Sequence, residues 1–322
     1  MSADPRLPAP RGPLSDAVIE ALRSGVTVLP AVERADPYGE DLQLALYCLY
    51  ELHYRGFAGV PDEREWDPAV LTIRAAMEHA FLDRLRADVE PGDDVTAELD
   101  ALLVEPVEPA GLSQYLRTTG EPWHVREYVT HRSLYHLKEA DPQAWVIPRL
   151  SGAVKAGLVT VEHDEYGAGD ARRMHSELFA EMMRALDLDP AYGAHLDAAP
   201  AETLAEVNLM SYCGLHRGMR GALIGQFAAV ELTSSPGSDR LVRAFRRLGL
   251  PDAAIAFYAE HVEADAVHEQ VVRRNVIAPL LASEPHLAAD VVFGIRAAEF
   301  LADRFADRVL ARWTRGASSL RG

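Results

Sequence analysis

Apolar residues recur along most of this 322-residue chain at the spacing of amphipathic helices, and alternating strand patterns are almost absent. The predicted helices lie at about residues 38–57, 68–84, 121–139, 143–165, 172–186, 201–232, 238–247, 252–276 and 285–315, with one short helix between 88 and 119. This pattern predicts an all-α protein, in which a helical extension precedes a compact helical bundle.

Proline and glycine mark the predicted helix boundaries. Pro122 suits the first turn of its helix, whereas Pro148 should kink its stretch or start it anew. Gly167 and Gly169 interrupt the pattern between two helices. The Thr-Ser-Ser-Pro-Gly run at residues 233–237 is predicted to end the helix that follows Pro200.

The pattern divides the chain into four segments. Residues 1–36 are predicted to be a flexible, Pro-rich arm and lead-in, and residues 37–118 an N-terminal helical extension. Residues 119–316 are the predicted core bundle, and residues 317–322 a flexible tail. The N-terminus lacks an apolar run of signal-peptide length, and no run reaches the length of a membrane span.

Composition limits the partners of the chain. The net charge of −17 disfavours nucleic acid and anionic membranes, while small cationic or amine-bearing ligands are electrostatically easier. Cys48 and Cys213 are the two cysteines of the sequence, so it predicts no disulfide framework and no thiolate metal site. These features favour a cytoplasmic protein.

The segment His261-Val-Glu-Ala-Asp265-Ala-Val-His268 is the sharpest chemical feature. On a helix, positions i, i+4 and i+7 share one face, so two imidazoles and one carboxylate project together. Imidazole and carboxylate suit iron, manganese or zinc, whereas calcium prefers oxygen alone. The alternative is a solvated helix face, because Glu260, Glu263 and Glu269 nearby are expected at the surface.

Glu139, Glu165 and His175 are candidates for the remaining ligands of a dinuclear centre. Glu139 follows Leu134 and Leu137 at spacings that place it near the apolar side of its helix. On an unbroken helix, Glu165 and His175 would lie about 80° apart around the axis. A glycine-permitted irregularity could turn both toward one point, or the glycines could merely cap one helix before the next.

Five long strings make the chain resemble a known family over about residues 40–315. They are CLYELHYRGF (48–57), RSLYHLKEADPQAWVIPRLSG (132–152), DEYGAGDARRMHSELFAEMMRAL (164–186), TLAEVNLMSYCGLHRGMRGALIGQFAAVELTSS (203–235) and EHVEADAVHEQ (260–270). The sequence resembles the haem-oxygenase-like diiron oxidases, which are also described as iron-containing redox enzymes. The resemblance implies a haem-oxygenase-like helical bundle for the core.

The resemblance also implies a ligand set and a cofactor. The positions that match the family's iron ligands are Glu139, Glu165, His175, His261, Asp265 and His268. They imply two Fe(II) ions, dioxygen as co-substrate and an external reductant. Their combination most resembles the family members that oxygenate nitrogen, and Asp265 matters to that choice, since some members that cleave fatty acids or amino acids use fewer ligands.

Four functions follow as hypotheses. The first is N-oxygenation of an amine, guanidine or amino-acid-like small molecule in specialised metabolism. The second is oxidative C–C cleavage or decarboxylation of an amino or fatty acid by the same centre. The third is a non-catalytic metal-binding bundle. Haem degradation is disfavoured, because haem needs one axial ligand and an apolar slot. The expected partners are a small-molecule substrate and an electron donor, with the helical extension suited to a symmetric homodimer.

Other residues permit structural and functional interpretations. Gly214, Gly218, Gly221 and Gly225 form a stripe that could admit a neighbouring helix or leave room above the metals. Residues suited either to structural contacts or to substrate are Arg217, Arg220, Tyr135, Tyr166 and Tyr212. Candidates for orienting the metal-binding imidazoles are Glu162, Asp164 and Tyr166. Glu121 begins a Glu-x-x-His string but is predicted to be an N-terminal charge on its helix.

Overall fold

The computed structural model describes residues 4–25, 31–104 and 110–322. The chain is 74% helical, and no strand occurs in those three ranges, so the all-α prediction is confirmed. The helices are α1 (Pro13–Ser24), α2 (Glu40–Glu51), α3 (Pro68–Asp88), α4 (Val95–Leu102), α5 (Leu112–Thr118), α6 (Pro122–His136), α7 (Asp141–Ala144), α8 (Gly152–Glu165), α9 (His175–Ala185), α10 (Ala201–Leu215), α11 (Arg220–Arg247), α12 (Asp252–Val271), α13 (Ala278–Ser283) and α14 (Ala288–Trp313). A π-helical segment, Val272–Ile277, joins α12 to α13.

The prediction of a single helix at 201–232 is wrong. The chain leaves the helical conformation at His216, and α11 begins at Arg220. The run at 233–237 does not end α11, which continues through Pro236 to Arg247. Buried apolar side chains on both sides of the proline, including Leu232 and Leu241, make a continuous helix favourable despite the lost backbone hydrogen bond.

The predicted flexible arm is wrong for residues 13–24, which form α1. Leu14, Val18 and Leu22 on this helix are buried in the same core as the bundle. The Asp41 carboxylate accepts hydrogen bonds from the backbone N–H groups of Leu14 and Ser15, and so holds the first turn in place. Part of the predicted arm, residues 1–3 and 26–30, lies outside the described residues.

The predicted flexible tail also differs from the structure. Ser319 is fully buried, and both its backbone N–H and its hydroxyl donate hydrogen bonds to Glu127 of α6. Arg321 forms an ion pair with Glu40 at 2.7 Å. These polar contacts hold the C-terminal residues against the bundle, and the short segment Ala-Ser-Ser-Leu-Arg-Gly gave no sign of them.

The central helices α11 and α14 cross closely because glycines meet at their contact. A Cβ atom on Gly225 would collide with the carbonyl oxygen of Val291, and one on Gly294 with that of Ala222. Gly225 belongs to the predicted glycine stripe, so the interpretation of close helix approach is confirmed there. A Cβ atom on Gly218 of the same stripe would meet no described residue within 4 Å. Within the described ranges, no single helix is both long and apolar enough to cross a membrane.

Candidate metal centre

Helix α12 presents His261, Asp265 and His268 to the interior of the bundle. All three are buried, with at most 7% of each residue exposed, while Val267 between them is 61% exposed. The prediction that these three residues share one helix face is therefore confirmed. Glu263 of the same helix is exposed, as expected for a residue on the solvated face.

Two groups of side chains lie close enough to hold metal ions. The first is Glu139, Glu165, His175 and His261, whose ligand atoms all lie within 4.8 Å of one another. In this group His175 Nδ1 lies 2.6 Å from Glu165 Oε2, and His261 Nε2 lies 3.9 Å from Glu139 Oε1. His175 Nδ1 has no hydrogen-bond partner among the described residues, although it lies 2.6 Å from Glu165 Oε2. An imidazole nitrogen and a carboxylate oxygen this close together suit a shared cation.

The second group is Glu165, Glu231, Asp265 and His268. His268 Nδ1 lies 3.1 Å from Glu231 Oε2, 3.5 Å from Asp265 Oδ1 and 3.6 Å from Glu165 Oε1. Glu165 belongs to both groups, with Oε2 facing His175 and Oε1 facing His268. The structure thus brings all six sequence-predicted residues together, and places one carboxylate between two candidate ion positions.

Glu231 is a member of the second group that the sequence prediction missed. It lies on α11 between buried apolar residues, and only 7% of it is exposed. A lone acidic residue on an otherwise apolar helix face was the available signal. Its string, AVELTSS, is part of the family resemblance, but the resemblance assigned no ligand there.

The sequence predicted Glu139 to lie on a helix, but the structure places it in a turn. Helix α6 ends at His136, and Glu139 follows in the turn before α7. The last helical residue supports it, since His136 Nδ1 lies 3.0 Å from Glu139 Oε2. One residue earlier in the turn, Lys138 is almost fully buried and pairs with Glu51 of α2 at 3.1 Å. The N-terminal extension therefore anchors the turn that carries Glu139.

The glycine-rich break between α8 and α9 brings Glu165 and His175 together. Glu165 is the last residue of α8 and His175 the first of α9. Gly167 and Gly169 between them adopt φ values of +71° and +88°, which residues other than glycine rarely adopt. A Cβ atom on Gly167 would also meet the backbone nitrogen of Met174 at 2.6 Å. The break thus ends one helix and turns both side chains toward one point.

Neighbouring groups fix how the imidazoles face the centre. His261 Nδ1 lies 2.8 Å from the Phe257 carbonyl oxygen, so it carries the proton and Nε2 keeps its lone pair for a metal. His268 Nε2 lies 3.3 Å from Asp164 Oδ2, which confirms Asp164 as an orienting partner. Tyr166 instead donates its hydrogen bond to Asp141, at 3.0 Å.

Burial among like charges changes the protonation of the centre. Burial, with repulsion from Glu139, raises the pKa of Glu165 to about 8. Burial also raises the pKa of Glu231 to about 8, although its hydrogen bond to His268 opposes the rise. Burial lowers the pKa of His268, but hydrogen bonds to Asp265 and Glu231 outweigh it and raise the value to about 11. In the metal-free protein at neutral pH, bound protons therefore neutralise the carboxylates, and bound metal cations would displace these protons.

A cavity of about 430 Å³ borders the centre between α6, α10, α11 and α14. Ser234 and His136 line this cavity, and each contacts a metal-binding carboxylate, Asp265 and Glu139 respectively. The volume is that of a small-molecule site. Of the residues suited either to structural contacts or to substrate, Tyr135 lines the cavity. Arg220 instead makes a structural contact, an ion pair with Glu284. Glu121 stands at the N-cap of α6, which agrees with its predicted role as an N-terminal charge.

A sequence family described as iron-containing redox enzyme matches residues 126–303. The match covers more than half of the chain, and it includes both candidate metal-binding groups and most residues that line the cavity. No curated protein matches the chain. The helical bundle agrees with the haem-oxygenase-like fold that the sequence predicted.

Proposed function

The chain belongs to the iron-containing redox enzymes, and from this premise we propose that it is a non-haem diiron oxygenase that uses dioxygen to oxygenate nitrogen. The proposed substrate is an amine, a guanidine or an amino-acid-like small molecule. An external reductant, either a protein or a small molecule, would supply further electrons. The family match itself supports an iron-dependent oxidoreductase.

The shared position of Glu165 carries the proposal of two ions. Each metal-binding group offers four ligand atoms within 4.8 Å, and Glu165 contributes one carboxylate oxygen to each. A carboxylate that bridges two cations roughly 3.5–4 Å apart is typical of two-metal sites. Three imidazoles and four carboxylates give a mixed nitrogen and oxygen donor set, which suits iron better than calcium.

The charges of the donor set fit two dications. Glu139, Glu165, Glu231 and Asp265 would carry four negative charges when ionised, which two Fe(II) ions would balance. When bound, the ions would supply the electrons that reduce dioxygen. Ser234 holds Asp265, and His136 holds Glu139, so that neither carboxylate is free to turn toward the cavity. Most of the surface that lines the cavity is apolar, including Leu209, which lowers the polarity around the reacting atoms.

Two features favour nitrogen oxygenation over the other hypotheses. Asp265 lies in the second metal-binding group, and the ligand set that includes it resembles that of the nitrogen-oxygenating members. Haem degradation would need an apolar slot, yet four buried carboxylates meet at the centre of this bundle.

The test is iron loading followed by oxygen exposure. Metal-free protein would receive two equivalents of Fe(II) without oxygen, and stopped-flow absorbance would follow its mixing with oxygenated buffer. We expect a transient visible band that is lost in His261→Ala and kept in His163→Ala, since His163 is an exposed histidine on α8. Amines and guanidines should speed the decay of the band. Absence of iron uptake would refute the proposal.

A further inference from the structure

The cavity beside the centre is lined by three residues with a buried oxygen that lacks a hydrogen-bond partner among the described residues, namely Glu206, Gln226 and Tyr258. The oxygens of Glu206 and Gln226 belong to a carboxylate and an amide, so both can accept a hydrogen bond from a ligand. Glu206 of α10 and Gln226 of α11 both line the cavity, and they are 9% and 3% exposed. Oε1 of each side chain is buried and has no partner among the described residues. A buried acceptor without a hydrogen bond destabilises the protein, so a ligand that donates to both oxygens would recover this cost.

Glu206 is held in place for such a role. Its other oxygen, Oε2, accepts a hydrogen bond from Arg132 of α6 at 2.7 Å. Arg132 is itself stacked over the ring of Phe305, with 5.0 Å between the guanidinium carbon and the ring centroid. Because Arg132 fixes Oε2, the carboxylate cannot rotate freely, and Oε1 keeps one position.

The charge of the cavity favours a cation. Its lining includes the carboxylates of Glu206, Glu299 and Asp303, and the guanidinium groups of Arg132 and Arg240. When all five groups are ionised, three negative charges against two positive charges leave the lining negative, with Glu206 buried and Glu299 and Asp303 exposed. Two bound dications would be neutralised by the carboxylates of the metal centre, so they would not cancel the negative charge of the cavity lining. The negative lining would repel an anionic headgroup, such as that of a fatty acid. The two arginines of the lining already have hydrogen-bond partners, Arg132 with Glu206 and Arg240 with Ser113.

We propose that Glu206 and Gln226 are specificity-determining residues, which accept hydrogen bonds from a cationic N–H group of the substrate, an ammonium or a guanidinium. This inference rests on the proposed function and adds the subsite that selects its substrate. Arg132 lies one helical turn from His136 on α6, and His136 contacts Glu139. The cation would thus bind about 6 Å along the helix axis from the edge of the metal centre.

Binding of small probes to the metal-free protein tests this inference. Ligand-observed NMR titrations would compare butylguanidinium, pentylammonium, butylurea and hexanoate. Butylurea has nearly the shape of butylguanidinium but no charge. We expect at least one of the two cations to bind at least tenfold more tightly than butylurea and hexanoate, and the tighter cation identifies the preferred headgroup. Equal or tighter binding of butylurea or hexanoate would overturn the proposal, as would the absence of cation binding.

Three variants locate the subsite. Glu206→Gln and Gln226→Leu should each weaken binding of the tighter cation about tenfold, because the first removes the negative charge that faces the cation and the second removes a hydrogen-bond acceptor. Glu202→Gln is the matched control, because Glu202 lies one turn earlier on α10, pairs with Arg308 at 3.3 Å and does not line the cavity. Unchanged binding in folded Glu206→Gln or Gln226→Leu protein would overturn the assignment, and Gln226→Leu decides if Glu206→Gln does not fold.

The outcomes for the subsite and for the proposed function are distinguishable. The titrations use metal-free protein, so failure to take up iron would refute the diiron centre and leave probe binding unchanged. Conversely, an iron-loaded protein that reacts with oxygen but binds no cation would refute the subsite alone.

Discussion

The hydroxyl of Ser234 on α11 donates a hydrogen bond to Oδ2 of Asp265 on α12. Ser234 also lines the cavity, so this hydrogen bond connects the cavity wall to the second metal-binding group. The other carboxylate oxygen of Asp265 remains 3.5 Å from His268 Nδ1. Ser234 therefore orients Asp265 so that one oxygen faces the position proposed for an ion.

Loss of this hydrogen bond should weaken iron binding. Ser234→Ala is expected to lower the affinity for one of the two ions about tenfold, because partners that orient a ligand have effects of this size. Anaerobic Fe(II) titration would measure both affinities. Ser235→Ala is the matched control, since the Ser235 hydroxyl donates to the Val262 carbonyl and not to a carboxylate. Equal affinities in both variants would show that Ser234 does not orient Asp265.

Glu231→Gln tests the residue that the sequence analysis missed. The change keeps the shape of the side chain but removes a carboxylate from the second metal-binding group, while the first group stays complete. We expect the bound iron to fall from about two ions to about one per chain. Metal analysis after anaerobic loading and desalting would measure this ratio. Glu263→Gln, an exposed position on α12, should keep both ions. If Glu231→Gln also kept both, Glu231 would not be a ligand.

Iron affinity should rise with pH. Binding requires ionised Glu165 and Glu231 and a neutral His268, whereas their pKa values without metal are about 8, 8 and 11. Each group must therefore release a proton when iron binds near pH 7. Titrations at pH 6.5, 7.5 and 8.5 should show affinity that increases at least tenfold per pH unit. Affinity that stays constant over this range would contradict the protonation of the centre.

The same groups predict how the metal-free fold responds to pH. A carboxyl whose pKa is raised by folding contributes stability below its unfolded value, and this stability is lost as pH rises through about 8. The raised pKa of His268 acts in the same direction between its unfolded value and about 11. The melting temperature of metal-free protein should thus fall from pH 6.5 to 8.5, and iron should reduce the fall. A rise in both forms would refute this account.

Two glycine substitutions on α11 should have opposite effects on stability. Gly225→Ala places a Cβ atom against the Val291 carbonyl and should destabilise the protein by about 1–3 kcal/mol, because the backbones of α11 and α14 must separate. The Cβ atom of Gly237→Ala would meet no atom of the described ranges within 4 Å, so this change should stabilise α11 by about 0.5–1 kcal/mol. Urea unfolding would measure both. A Gly225→Ala protein as stable as the native one would contradict the close crossing.

Helical spacing alone determined much of the fold and part of the centre. The face shared by His261, Asp265 and His268 could be predicted because three helical positions keep a fixed angle around one axis. The all-α class followed from the same period. The glycine break at 167–169 indicated an irregularity, although either a simple cap or a convergence of two side chains was consistent with it.

Only the tertiary structure decided which residues from different elements meet. Glu231 joins the centre because α11 packs against α12, so that its Oε2 lies 3.1 Å from His268 Nδ1. Helix α11 itself continues through Pro236, because packing on both sides of the proline outweighs the local preference to end there. Glu139 reaches the centre from a turn, held by His136 and by the neighbouring pair of Lys138 with Glu51. The unpaired oxygens of Glu206 and Gln226 likewise depend on contacts between helices. Sequence period fixes directions within one helix, whereas distances between helices depend on packing that no single segment encodes.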